Sequence, residues 1–231
     1  MFDGKLKAVT FSYDDGVTQD RRLIELFNRY GLKGTFNINS ELLGTENVLT
    51  YGDKSVQHNK VLPEEIASLY KGHEIAVHTL THPMLPSLSD DEIIYQVEKD
   101  RENLSRLCGY EVVGMAYPGG GVNFDRRVAD VIRDNTGVKY ARTTVPSFGF
   151  DMQEDLYVFS PTVHHKDTDR CLEMIDKFLA LECDSPKLLY IWGHSYEFDF
   201  FDNWDFLEEM CRRLSGHKDI FYGTNRECFG F

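Results

Sequence analysis

The sequence predicts an α/β domain built on a mostly parallel sheet. Two observations lead there. Short apolar runs alternate with amphipathic segments along all 231 residues, the pattern of repeated strand–helix units. About seven such units can be counted, with no internal repeat, low-complexity tract or linker, so one domain over residues 1–231 is expected. That number suits either a barrel-like closure or a wound open sheet.

The elements follow in order. Ala8-Val9-Thr10-Phe11-Ser12-Tyr13 reads as a strand, closed by Asp14-Asp15-Gly16. Residues 18–30 read as a helix, with Thr18 as cap, Leu23, Leu26 and Phe27 as apolar stripe, and Gly31 as stop. Residues 34–38 form a strand. Residues 40–61 are polar and irregular, a long insertion able to overhang a site. Pro63 opens a helix ending near Gly72, and residues 73–77 are a short strand. Ser89-Asp90-Asp91-Glu92 is a capping box that starts a helix through Leu107. Strands are expected over 111–117, 138–143, 187–192 and 219–222. Helices are expected over 123–133 and 169–181. A last helix, capped by Asp202, should run to Leu214.

Composition narrows the partners. The chain is 42% hydrophobic and holds 16 Phe and 12 Tyr, enough for a full core. Net charge is −13, which argues against nucleic acid or an anionic membrane, since both demand basic surface. No apolar run reaches the length of a spanning helix. The start, Met1-Phe2-Asp3-Gly4-Lys5, has no apolar signal-peptide region, so a cytoplasmic location is expected. Cys108, Cys171, Cys183, Cys211 and Cys228 form no Cys-x-x-Cys pair; free thiols in a reducing compartment are the favoured reading.

Parallel α/β folds carry their chemistry at the carboxyl ends of strands, and five polar groups fall at such ends. Asp14 and Asp15 follow the first strand; alone they read equally as a solvated Asp-Gly turn. His78-Thr79-Leu80-Thr81-His82-Pro83 follows residues 74–77. Four-residue spacing on a helical turn puts two imidazoles on one face, able to hold one cation. One carboxylate from Asp14 or Asp15 completes a two-His-one-carboxylate set suited to Zn²⁺, with Co²⁺, Ni²⁺ or Fe²⁺ as alternatives. Tyr117-Pro118-Gly119-Gly120-Gly121 exposes backbone N–H groups that could cradle an oxyanion, or is a plain turn. Arg142 ends a strand. His194 follows the apolar run 188–192 and titrates near neutral pH, so it can donate a proton. His58, His73, His164, His165 and His217 lack a comparable setting and read as structural or surface residues. Phe198, Phe200, Phe201 and Trp204 either line a sugar pocket or pack the core.

These residues resemble the polysaccharide deacetylase family, carbohydrate esterase family 4. Ser12-Tyr13-Asp14-Asp15-Gly16 is similar to the family's Thr-Phe-Asp-Asp-Gly motif, and His78-Thr79-Leu80-Thr81-His82 matches its His-Ser/Thr-x-x-His motif. Tyr117-Pro118-Gly119 resembles the third motif and the segment Leu189 to His194 the fifth. The resemblance implies a distorted (β/α) barrel and metal-dependent hydrolysis of an acetyl group, usually an N-acetyl on a sugar. By position, Asp15, His78 and His82 would hold the metal, Asp14 would be the base and His194 the acid. The Tyr117 backbone N–H would help bind the oxyanion, and Tyr117, Pro118, Gly119 and Trp192 would line the substrate subsite.

Two departures stand out. The third motif usually carries an Arg two residues before its Pro, where this chain has Ala116; Arg142 is the candidate substitute. The motif acid that tunes the catalytic His is not found, leaving Asp151, Asp155, Asp167 or Glu197 in its place. The expected substrate is thus an acetylated carbohydrate or a small amide. The alternatives are a deformylase or ureide hydrolase on the same fold, or a non-catalytic carbohydrate-binding relative.

Overall fold

The computed structural model describes residues 2–231. Strand β1 (Lys7–Asp14) is buried along its whole length, its polar Lys7, Thr10, Ser12 and Asp14 included, as befits a central strand of a covered parallel sheet. It leads to helix α1 (Asp20–Tyr30) and strand β2 (Gly34–Ile38). The insertion that follows holds an antiparallel hairpin, β3 (Val48–Tyr51) and β4 (Lys54–Gln57). Then come α2 (Ile66–Leu69), β5 (Glu74–Val77), α3 (Asp90–Cys108), β6 (Gly114–Ala116), α4 (Arg126–Asn135) and β7 (Tyr140–Arg142). The chain ends with β8 (Val163–His164), α5 (Thr168–Leu179), β9 (Lys187–Gly193), α6 (Tyr196–Phe201), α7 (Trp204–Leu214), β10 (Ile220–Tyr222) and α8 (Asn225–Phe229).

The main sheet runs β7-β6-β5-β2-β1-β9-β8, every neighbouring pair parallel. β10 shares one edge of β1 with β2: it pairs with Lys7, Ala8 and Val9, while β2 takes Phe11 to Asp14. The two ends of the sheet meet. Just before β8, Phe159 bridges Arg142 of β7. Its N–H donates to Ala141 O at 3.1 Å, and Thr143 N–H donates to Phe159 O at 2.9 Å. The sheet is therefore curled into a distorted barrel, not a wound open sheet.

Helix faces bury the stripes read from sequence. Leu23 and Phe27 of α1 are fully buried, and the Phe27 ring lies 4.6 Å from that of Phe11. Burial of each such ring contributes about 1.5–3 kcal/mol. Ser89 and Glu92 form the expected capping box of α3. At the N-terminal end of the barrel, α8 acts as a plug. Asn225 N–H donates to Thr35 Oγ1 at 2.9 Å and Arg226 N–H to Glu74 Oε2 at 2.8 Å. All five cysteines are free, and no helix among the described residues is long and apolar enough to cross a membrane.

Several boundaries differ from expectation. α1 starts at Asp20, and Thr18 does not cap it: its hydroxyl turns to Gln19 Oε1 at 3.4 Å, and its N–H is tied to Asn59 O of the insertion. The helix expected over 202–214 starts at Trp204, as α7, and a separate short helix, α6, precedes it. Asp202 takes a left-handed conformation (φ 51°) that ends α6 instead of capping α7. The two-residue strand β8 and the plug helix α8 lie outside the expected elements; both are too short to show a period.

Candidate active site

The strand ends that carry Asp14 and Asp15, His78 and His82, Gly119 to Gly121, and His194 open into one cavity of about 940 Å³ at the carboxyl end of the barrel; Arg142 is buried beneath it and does not line it. The first contributor is the β1 exit. Adjacent strand residues point to opposite faces, so a bend is needed before both carboxylates can share a pocket. That bend is at Asp15 (φ 82°) and Gly16 (φ 60°). A left-handed φ is costly for Asp15 and is held by its surroundings: Asp15 N–H donates to Asn37 O at 2.9 Å, and Lys60 Nζ donates to Asp15 O at 2.8 Å.

Asp14 and Asp15 then face different partners. Asp14 is 2% exposed. One nitrogen of Arg142, Nη2, reaches its Oδ1 at 2.6 Å and Oδ2 at 2.5 Å, and Asn37 Nδ2 donates to Oδ1 at 2.8 Å. Asp15 Oδ1 lies 3.9 Å from His78 Nε2 and 3.7 Å from His82 Nε2. Burial alone would raise the Asp15 pKa; the Lys60 charge and the His58 hydrogen bond outweigh it and hold the carboxyl well below the usual range.

One nitrogen from each of His78 and His82 and one Asp15 oxygen lie within 4.8 Å of one another. His78 Nδ1 lies 2.9 Å from Ala116 O. A carbonyl can only accept, so Nδ1 carries the proton and Nε2 turns its lone pair toward Asp15. Burial pushes the His78 pKa down to about 4, which keeps the ring neutral. This donor set fits a divalent cation with one carboxylate and two neutral imidazoles. The segment from His78 to His82 is not the helical turn expected: Thr79 (φ 66°) and His82 (φ 62°) are both left-handed. Asn39 Nδ2 fixes it by donating to His78 O at 2.5 Å and Thr79 O at 2.9 Å.

At the end of β9, His194 lines the cavity and its Nδ1 lies 3.3 Å from Glu197 Oε2. Burial would lower the His194 pKa; the Glu197 carboxylate outweighs it and lifts the value to about 9. Of the four acids that sequence left open, Glu197 is the one at His194. The same oxygen lies 3.0 Å from His165 Nε2 and 3.6 Å from His164 Nε2. Burial would raise the Glu197 pKa, and His165 and His194 hold it well below the ordinary value. This second cluster is a hydrogen-bond network. Lys166 N–H donates to His164 Nδ1 at 3.0 Å, which places the His164 proton on Nε2, facing the carboxylate.

The remaining site candidates divide. Gly119 and Trp192 line the cavity; Tyr117 and Pro118 do not. The Tyr117 N–H is already spent on Arg142 O, at 3.0 Å, as part of the sheet ladder, so it cannot serve an oxyanion. The Arg142 guanidinium lies over the Trp192 ring at 4.3 Å. Phe198 and Trp204 pack together in the core, their rings 5.1 Å apart, and Phe200 packs on Tyr51 of the hairpin; none lines the cavity. His58, Lys60 and His164 do line it, against the expectation that His58 and His164 were structural or surface residues. His165 is structural in place but directly engaged, bonded to Tyr13 OH and Glu197. Only the overhang expected of residues 40–61 hinted at His58 and Lys60.

A family model described as polysaccharide deacetylase matches residues 3–141. No curated protein matches the chain. Among solved structures, the peptidoglycan deacetylase PdaC from Bacillus subtilis is similar with TM-score 0.59 and 18% identity, covering 98% of this chain and 91% of that one. A family 4 carbohydrate esterase from Streptomyces lividans, in complex with acetate, gives TM-score 0.57 and 14% identity, covering 95% and 92%. A pseudoenzyme of the same esterase family from Bacillus anthracis gives TM-score 0.55 and 16% identity, covering 96% of this chain and 65% of its own. At these identities the neighbours show the fold.

Proposed function

Because the chain belongs to the polysaccharide deacetylase family, we propose that it is a metal-dependent hydrolase that removes an acetyl group, in first place an N-acetyl, from a sugar or short oligosaccharide. The observation that carries this reading is that the Asp15, His78 and His82 donors share one cavity with both Asp14 and His194.

Asp15, His78 and His82 would hold the cation, Zn²⁺ first. Bound there, it would acidify a water and polarise the acyl oxygen. Asp14 takes the proton of the attacking water; Arg142 and Asn37 fix its carboxylate so that no reorientation is needed at the moment of transfer. His194, protonated on both nitrogens below about pH 9, keeps Nδ1–H on Glu197 and offers Nε2–H to the departing nitrogen. An amine leaves poorly without a proton, so this acid favours amides over esters. Trp192 supplies an apolar wall whose orientation Arg142 holds by stacking.

Acetate release from a panel of acetylated mono- and oligosaccharides, with formamides and cyclic ureides alongside, tests the reading. Release from the N-acetyl sugars that stops on chelation and returns with Zn²⁺ is the expected result. Turnover of formamides alone would move the assignment to a deformylase, and sugar binding without acetate release at full metal loading would make the chain a binding protein.

A further inference from the structure

The metal-site carboxylate is gripped by the insertion that precedes α2. Two backbone hydrogen bonds pin the return leg of the β3–β4 hairpin to the β1 exit: Val61 N–H to Gly16 O at 3.0 Å and Thr18 N–H to Asn59 O at 2.8 Å. Lys60 between these anchors and His58 just before them both reach Asp15. Lys60 holds its carbonyl, with Nζ also 3.5 Å from Oδ1. His58 Nε2 lies 3.1 Å from Oδ2. His58 is 8% exposed, and its ring stands edge-on to Tyr196 at 5.0 Å.

The two oxygens of Asp15 are thereby made unlike. An ionised carboxylate only accepts, so His58 Nε2 carries its proton and donates to Oδ2. Oδ1 is the oxygen nearest His78 and His82. We propose that His58 is a positioning residue for the metal centre: its hydrogen bond to Oδ2 fixes the Asp15 carboxylate so that Oδ1 alone is presented to the cation. This rests on the metal-binding role given above to Asp15, His78 and His82. Partners that orient a ligand in this way typically change metal affinity by about 10- to 100-fold when removed. The hairpin would then belong to the metal site and not only to the cavity wall.

The test is metal affinity of the stripped protein, read by competition with a chromophoric chelator for Zn²⁺ and by the absorption spectrum of bound Co²⁺. His58→Phe keeps the aromatic contact with Tyr196 and removes the donor; His58→Leu stands in if the larger ring does not fold. His58→Gln returns an N–H close to the Nε2 position. The expected result is a Zn²⁺ Kd weakened about 10- to 100-fold in the apolar variant, with an altered Co²⁺ spectrum, and recovery to within about threefold in His58→Gln. Unchanged affinity in the apolar variant overturns the proposal, as does equal weakening in both variants, which would mark a packing role. A wild-type protein that binds no Zn²⁺, or a His78→Ala variant that binds it as tightly, would instead overturn the metal reading itself.

Discussion

Arg142 pairs with Asp14 through one guanidinium nitrogen that reaches both carboxylate oxygens, at 2.6 and 2.5 Å, with both residues essentially sealed from solvent. The two come from β7 and β1, 128 positions apart in the chain. Arg142 reaches Asp14 from β7, the strand paired with the β6 strand that ends at Ala116.

Breaking this pair should cost stability as well as chemistry. Arg142→Met leaves a buried carboxylate without its cation, a loss of about 3–5 kcal/mol in folding free energy. Arg142→Lys should recover only part of it, because an ammonium reproduces neither the Nη1 bond to Thr143 O nor the flat stacking on Trp192. Urea titration of the three proteins measures both; a loss under about 1 kcal/mol would show the pair behaving like an exposed one.

Asp14 and His78 should separate chemistry from metal binding. Asp14→Asn keeps the side-chain shape but gives up one of the two Arg142 contacts and cannot accept the water proton, so kcat should fall roughly 10²-fold or more while metal content stays full. His78→Ala should leave purified protein without metal. Full occupancy in His78→Ala, or full turnover in Asp14→Asn, contradicts the respective assignment.

The alkaline limb of the rate profile should belong to His194. Its pKa is lifted from 6.5 to about 9, and it acts in the protonated form, so activity should fall as pH rises through about 9. Glu197→Gln removes the anion that does the lifting and should draw this limb down toward 6.5. The sign for stability is the same. The raised pKa stabilises the folded state fully below about 6.5, and that contribution is lost as pH rises through about 9. A limb that stays in place in Glu197→Gln removes Glu197 from this role.

Gly114 should tolerate no side chain. A methyl group there would overlap the Tyr140 hydroxyl, which donates to buried Glu74 at 2.7 Å. Moving the ring would break that bond inside the barrel, so Gly114→Ala should destabilise by about 1–3 kcal/mol. Thermal melts with unchanged midpoints would show that the interior can yield.

What sequence determined here was local. Alternation of strand and helix gave the α/β class because period and turn residues act within a few positions. His78, His82 and the Asp14-Asp15 pair were legible because spacing of four, or adjacency, survives any fold that bends sharply at that point. Tertiary structure decided what depends on neighbours across the sheet. Closure into a barrel rests on one bridge between Arg142 and Phe159. Glu197 was chosen from four acids because a short turn returns it to His194. His58 and Lys60 reached Asp15 only because a hairpin folds back by 43 and 45 positions. The Tyr117 N–H, an oxyanion donor by the family resemblance, was consumed by Arg142 O in the ladder. Each of these is a contact between distant residues. No local pattern encodes such contacts, because their energy depends on how the whole barrel brings the strands together.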